Sequence, residues 1–530
     1  VTGSAPGPET APTTAPATGP ESGDARRERL VVVGNGMAAT RLVEELVARG
    51  YPGHVTVLGD EPAPAYNRIL LSAVLEGTHD RGAITLRRPG WYAEHGVTLR
   101  LGTRVLTVDR EHRDVMLVDG ETIGWDRLVL ATGVIPTLPP MRGLVRVDGT
   151  LHPAVHAFRS LADCERLDAA VSAATGAASS HGSGPEAGPG GGPRRAVVVG
   201  GGLLGLQVAR ALALRGLRTE LIEGSEHVLS RQVVPAAGQL LARSLRRLGT
   251  EVYVGARGVR LLDRPDPEGR PGVGVQLDNG HVLDTDLVVL TAGGRPSVAL
   301  ARNAGLAVRR GVVVDDQLAS VTDAAVHAIG DCAEHRETLS GFVPPAWEQA
   351  SVLARRLCGE DVAYEGTRAV ARLRATDLDV AVLGDPVHAE GEVVEVANPL
   401  PGPDRAGKHS RLVVRDGVIE AASLVGDLSK VGLITQLYDR RTPLGLFDPG
   451  ELLLPDPADE PLRPVLGEDA EVCACARVTV GRVRACADLD EARATTRATT
   501  GCGGCRDDVR ALCGTSTRTQ DPRPLSPTHS

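Results

Sequence analysis

The sequence predicts an α/β fold closed by a small α+β domain and a small helical domain, and three observations carry this. A run of apolar residues, Leu30 to Val33, leads into a glycine turn and then an amphipathic helical pattern. The arrangement returns just after Arg195, in AVVVGGGLLGLQVARALALRGLRTELIEG. Buried strands that alternate with helices in this way form parallel sheets with helices on their faces. From about Arg372 the texture changes to alternating strands, and a cluster of cysteines lies beyond a Pro-rich stretch.

The 530 residues are enough for three or four domains with cores of their own. A net charge of −9 and an aromatic content of 2% argue against a nucleic-acid partner, which needs basic patches and stacking side chains. No apolar run approaches the ~18–20 residues of a membrane span. The start, VTGSAPGPETAPTTAPATGPESGDARRER, has no basic region followed by an apolar core, so it does not read as a secretory signal. Nine cysteines, an odd number without an export signal, point to a reducing compartment. The expected location is the cytoplasm, away from the membrane.

The first glycine turn is Gly34-Asn35-Gly36-Met37-Ala38-Ala39, a G-x-G-x-x-A motif between strand and helix. Gly34 permits the tight turn, Gly36 lets backbone approach a pyrophosphate, and small Ala39 lets helix and strand pack closely, with Ala38 counted among the binding residues. The helix N-terminus favours the phosphate charge. An acid at the end of the next strand should hold a ribose, and Asp60, with Glu61 beside it, is expected there. The second turn has the full G-x-G-x-x-G form through Gly200, Gly202 and Gly205, with Glu223 ending its second strand. Two such units imply two dinucleotides, one held and one exchanging.

Four cysteines pair as C-x-C, Cys473 and Cys475, and as C-x-x-C, Cys502 and Cys505. Residue types alone leave a disulfide frame, tetrahedral zinc and an iron–sulfur cluster open. Zinc sites usually use two C-x-x-C knuckles. The GCGGC turn, with Gly501, Gly503 and Gly504, instead suits backbone N–H groups aimed at an anionic cluster. Cys164, Cys332, Cys358, Cys486 and Cys513 read as isolated, inert thiols, and no C-x(4)-C redox pair occurs.

Through GNGMAA, AYNRILLS, Ala131-Thr132-Gly133, GGGLLGL, AGGRP, HAIGDCAE and WEQA, the chain from Arg29 to Leu446 resembles the two-dinucleotide, glutathione-reductase-like flavoproteins. Within them it resembles the flavin part of assimilatory nitrite reductase large subunits and nitrate reductase electron-transfer subunits. The four-cysteine segment resembles the bacterioferritin-associated-ferredoxin-like 2Fe-2S domain, with a shorter spacer between Cys475 and Cys502. The resemblance implies two Rossmann-like domains. One, over 29–165 and 297–362, binds FAD; the other, over 194–296, binds NAD(P)H. An α+β domain over 365–450 and a 2Fe-2S domain over 471–515 follow. Residues 1–28 are expected as a disordered leader, 171–193 as a flexible insertion, 451–470 as a linker and 516–530 as a tail.

By the same resemblance Arg68, Val105, the Ala131-Thr132-Gly133 turn, Arg159, Gly330, Asp331 and Trp347 serve FAD, and Gly294 serves NAD. Asp331 would take the ribityl hydroxyls. The lysine–glutamate pair that such enzymes often hold beside the flavin is absent, with Ala73 and Gln207 in its place. Losing both members together buries no unpaired charge, so a working flavin site is expected. Glu223 predicts NADH over NADPH, because a carboxylate accepts ribose hydroxyls and repels a 2′-phosphate.

The implied function is NADH oxidation by FAD with electrons leaving through the 2Fe-2S centre. A redox protein partner, a nitrate or nitrite reductase subunit, would receive them, and a homodimer stays open. Complete nitrite reductase large subunits continue into a sirohaem module that these 530 residues do not include, which implies an electron-transfer subunit. The alternatives are a ferredoxin- or rubredoxin-type reductase and a non-turnover NADH-responsive sensor.

Overall fold

The structure, a computed structural model, describes residues 27–175, 194–264, 272–368, 370–373, 378–398, 407–445, 448–454, 467–473, 476, 478–499 and 505–513. The leader as far as residue 26, the insertion from 176, most of the linker and the tail from 514 lie outside these residues. So do Cys475, Cys502 and the GCGGC glycines.

The first apolar run becomes the strand Arg29–Val33, buried from Leu30 onward. It lies between His54–Leu58 and Arg127–Leu130, parallel to both, within an eight-stranded sheet. Strands covered on both faces read as continuous apolar runs, which is why Val-rich stretches form its centre. The helix Met37–Ala48 covers one side and buries Ala39, Leu42, Val43 and Leu46. The chain returns late to finish this domain with strands from Val312–Val314 to Ala333–His335 and the helix Val343–Leu357, which packs on Met37–Ala48.

The second unit repeats the plan. Arg195–Val199 lies between Arg218–Glu223 and Leu287–Leu290 in a five-stranded parallel sheet. Each unit also carries a three-stranded antiparallel sheet before its return strand. One is Val105–Asp109, Asp114–Leu117 and Thr122–Gly124; the other is Gly258–Asp263, Val273–Leu277 and Val282–Thr285.

Two boundaries differ from the sequence reading. Val155–Ala157 is the edge strand of the second sheet, parallel to Leu287–Leu290, so this segment leaves the first domain before residue 165. The helix Leu161–Thr175 runs past residue 171, where the flexible insertion was expected to begin. The two domains are joined by a two-stranded ribbon in which Val134–Pro136 pairs antiparallel with Gly294–Pro296.

The third domain is a five-stranded antiparallel sheet backed by the helix Val431–Arg440. Its hairpin turns at Asp416 and Gly417, whose φ values of 53° and 73° are those a two-residue turn of this hand requires. The last domain folds the strands Glu471–Cys473 and Val478–Thr479 with the helices Val480–Arg484, Leu489–Thr496 and Arg506–Leu512. Its core is small, so local caps matter. Asp488 accepts from Asp490 N and Glu491 N, while Glu491 reaches back to accept from Ala487 N at 2.7 Å. No helix of the described residues is long and apolar enough to cross a membrane.

Candidate functional site

A cavity of about 1280 Å³ opens where the first glycine turn meets the second and third domains. That exceeds the ~300–1,000 Å³ of an ordinary small-molecule pocket and suits a long ligand. Gly34, Gly36 and Ala38 line it, as do Asp60, Arg68, Val105, Ala131, Thr132, Gly133, Arg159, Gly330, Asp331 and Trp347. Ala39 does not reach it; the residue is wholly buried between helix and sheet, the packing role its size suggests.

The two glycine turns share one local geometry. Gly34 has φ +114°, and a Cβ there would lie 2.2 Å from Ala131 O; Gly200 has φ +116°, and a Cβ there would lie 2.6 Å from Thr291 O. Each sits where the chain leaves its strand against a return strand, so nothing larger fits. By contrast, a Cβ on Gly36 or Gly202 would meet nothing within 4 Å. That open space is where a phosphate could approach the helix N-terminus. Gly205 faces inward, and a Cβ there would lie 1.8 Å from Gly200 O.

Glu223 fits its expected place. One carboxylate oxygen accepts from Gly201 N and the other from Ser225 N, each at 2.7 Å. Asp60 does not. The first unit's second strand ends at Leu58, and the pairing of each unit's first two strands makes Gly59 the position equivalent to Glu223. Asp60 is one residue further on, exposed, and held by Arg104 through two 2.8 Å bonds. Glu61 turns inward instead. It pairs with Arg68 and accepts from Tyr66 Oη at 2.7 Å, while the Arg68 guanidinium lies over the Tyr66 ring at 4.9 Å. Gly200, Gly202, Gly205, Glu223 and Gly294 lie outside the cavity wall; Leu203, Leu204 and Gln207 carry the second unit to it. Gly294 lies on the inter-domain ribbon opposite Pro136, and its side is exposed.

Asp331 follows Gly330, whose φ of +75° sets a short 3-10 turn at the cavity floor. A Cβ on Gly330 would lie 3.1 Å from that of Ala38, so both must stay small. Arg159 Nη2 donates to the Asp331 carboxylate at 3.1 Å, and Arg68 Nη1 donates to Arg159 O at 3.3 Å. Burial pushes the Asp331 carboxyl up, with Arg159 and Arg68 opposing; burial pulls the Arg159 guanidinium down, with Asp331 opposing. Asn35 Nδ2 and Trp347 Nε1 are buried donors with no acceptor among the described residues. Such orphans are what a bound acceptor would satisfy.

Ala73 and Gln207 leave no charge at their positions. One helical turn further along each helix, Glu76 and Arg210 form a largely buried ion pair with side chains 17% and 8% exposed. Neither lines the cavity. The charge pair joining these two helices therefore sits a turn away from it, with its polarity reversed relative to the lysine–glutamate pattern.

Of the five thiols read as isolated, Cys486 and Cys513 are not: Cys486 lies in one core with Cys473 and Cys505, and Cys513 packs against it. Burial pushes the Cys164 thiol up to about 12 and raises those of Cys332, Cys358 and Cys513. In the last domain Cys473 and Cys505 are 2% and 7% exposed and share one core with Val478, Val483 and Val509. Among the described residues no group of three or more His, Cys, Asp or Glu could hold a metal. The half of the four-cysteine set that is described is thus buried in one small core, which fits a thiolate-held centre.

Sequence reasoning did not point to the far wall of the cavity. Arg368, Arg372, Thr435 and Asp439 of the third domain and Glu471 of the fourth all line it. No motif marks them, because their placement depends on how separate domains pack.

Two strand–glycine turn–helix units flanking one long cavity define a reductase of the two-dinucleotide class. The chain belongs to the pyridine nucleotide-disulphide oxidoreductase family, whose profile matches residues 28–351. It is 30% identical over 497 residues to the nitrite reductase [NAD(P)H] of Bacillus subtilis, covering 92% of this chain and 57% of that protein. It is 28% identical over 516 residues to the assimilatory nitrate reductase electron transfer subunit of the same organism, covering 94% of this chain and 61% of that one. The chain therefore spans less than two thirds of the length of either relative. Among solved structures it is similar to the covalent putidaredoxin reductase–putidaredoxin complex, with a TM-score of 0.68 and 25% identity over 80% of this chain and 95% of that chain.

Proposed function

We propose that this chain oxidises NADH with FAD and passes the electrons through a 2Fe-2S centre to a redox protein partner of the nitrate or nitrite reductase kind, in the cytoplasm. The observation that carries the reading is the shared cavity, whose wall combines the first glycine turn, the Arg159–Asp331 pair and the leading helix of the second glycine unit. FAD supplies a two-electron acceptor that gives electrons up singly, and an iron–sulfur centre takes one at a time.

The residues fit these groups by their own chemistry. Gly36 leaves backbone open to a pyrophosphate, and the Asp331 carboxylate, fixed by Arg159, is a ready acceptor for sugar hydroxyls. Gln207 and Trp347 wall the cavity with one neutral amide and one indole, so no ionised side chain at position 207 repels or holds a proton. Cys473 and Cys505, with Cys475 and Cys502 by sequence, would hold the centre.

Two measurements test the reading together. Protein purified without air should bleach in its flavin band on adding NADH and should contain about two irons per chain with little zinc. Stoichiometric zinc without iron would remove the relay, and a flavin band indifferent to NADH would remove the NADH-oxidising half.

Cofactor choice has its own test. Glu223→Gln keeps an acceptor oxygen for one of the two backbone N–H groups, sets its amide NH2 against the other, and removes the charge that repels a 2′-phosphate. The ratio of kcat/KM for NADH over NADPH is expected to fall about tenfold. An unchanged ratio would place the ribose elsewhere.

A further inference from the structure

We propose that Arg497 is a positioning residue that docks the C-terminal cysteine domain onto the two helices flanking the cavity, which rests on reading that domain as the electron relay. Arg497 forms an ion pair with Glu44, on the helix that starts at the first glycine turn. The pair bridges 453 positions of sequence, and its side chains are only 11% and 9% exposed. The other Glu44 oxygen accepts from Arg87 Nε at 2.8 Å, so the carboxylate is clamped between two guanidinium groups. The Arg497 guanidinium also lies 5.7 Å from the ring centroid of Trp347, the residue that walls the cavity on the helix Val343–Leu357. One side chain thus ties the cysteine domain to both helices at once.

The backbone supports a role beyond ending a helix. Arg497 follows Leu489–Thr496 with φ +63°, the left-handed position where helices usually place glycine. A side chain there is disfavoured by the contact of its Cβ with the following carbonyl. Arg497 also precedes Cys502 by five residues in the sequence. Electron transfer depends on the orientation of donor and acceptor, and a buried charged contact next to the cavity wall supplies one.

The test uses hydrogen exchange on the full-length, oxidised protein, with no acceptor present, alongside stopped-flow kinetics. In Arg497→Met, peptides covering Met37–Ala48 and Val343–Leu357 should lose protection. Bleaching by NADH should stay within about twofold of wild type, and transfer to a one-electron protein acceptor should fall at least tenfold. Glu44→Gln, made outside the cysteine domain, should reproduce both effects and carries the test if Arg497→Met damages that domain. Arg497→Lys, which keeps the charge and loses the flat stacking group, should fall between. Unchanged exchange in both Arg497→Met and Glu44→Gln would overturn the docking, and lost protection with undiminished transfer would overturn the positioning role. Wild-type protein without iron would end the relay reading, while the exchange data would still decide whether the contact forms.

Discussion

Gly34→Ala should give a protein that retains no flavin and unfolds at markedly lower temperature. The new Cβ would lie 2.2 Å from Ala131 O and 2.7 Å from Ala131 C, both backbone atoms of the turn after the neighbouring strand. Gly34 N donates to Leu58 O at 2.8 Å, so the glycine is also held from the other side. Relief requires opening the sheet at its centre. A left-handed penalty of about 1–2 kcal/mol and an overpacking cost of about 1–3 kcal/mol together approach a large share of a domain's stability. Gly36→Ala is the informative partner. Its backbone tolerates alanine and its Cβ would meet nothing within 4 Å, so the fold should survive while FAD binds more weakly. Flavin-to-protein absorbance ratios and thermal unfolding check the pair. Equal behaviour of the two variants would mean that the open side of the turn does not face a phosphate.

Cys473→Ser should separate the two halves of the chemistry. Cys473 is buried in the core of the last domain and lies outside both glycine motifs, so flavin content should hold. NADH should bleach the flavin at close to the wild-type rate, while transfer to a one-electron protein acceptor falls by about a hundredfold or more. Small acceptors that enter the cavity directly should be far less affected. Undiminished transfer to the protein acceptor would make these cysteines structural. Slow bleaching would mean that the last domain shapes the cavity, of whose wall Glu471 already forms part.

How much of this was legible in the sequence follows from how local each feature is. The glycine turns were readable because Gly34, Gly200 and Gly205 answer contacts made within one strand–turn–helix unit. The hairpin at Asp416-Gly417 was readable for the same reason: the two residues supply their own positive φ. The strand before Asp60 ends at Leu58, so the position equivalent to Glu223 is Gly59, and where a strand ends is set by pairing that spacing alone does not reveal. Val155–Ala157 is too short to show a period, so its membership of the second sheet was hidden. The far wall at Arg372 and Asp439 and the Glu44–Arg497 pair join segments distant in sequence, and contacts of that kind leave no local pattern.

The ribbon of Val134–Pro136 and Gly294–Pro296 makes the second nucleotide unit a cassette. Its way in and its way out are antiparallel neighbours, and the junction is stitched by Ser297 N donating to Gly133 O at 2.9 Å and Thr132 Oγ1 donating to Ser297 O at 2.7 Å. Paired strands hold the two ends of such a segment about 5 Å apart. A host domain that already brings those ends together spends little loop-closure entropy on whatever hangs from them. The second glycine unit therefore enters and leaves the rest of the chain at one point, yet its core is shared with Leu71 and Leu75 of the first domain and with Val380 and Val382 of the third, so those positions have to change with it.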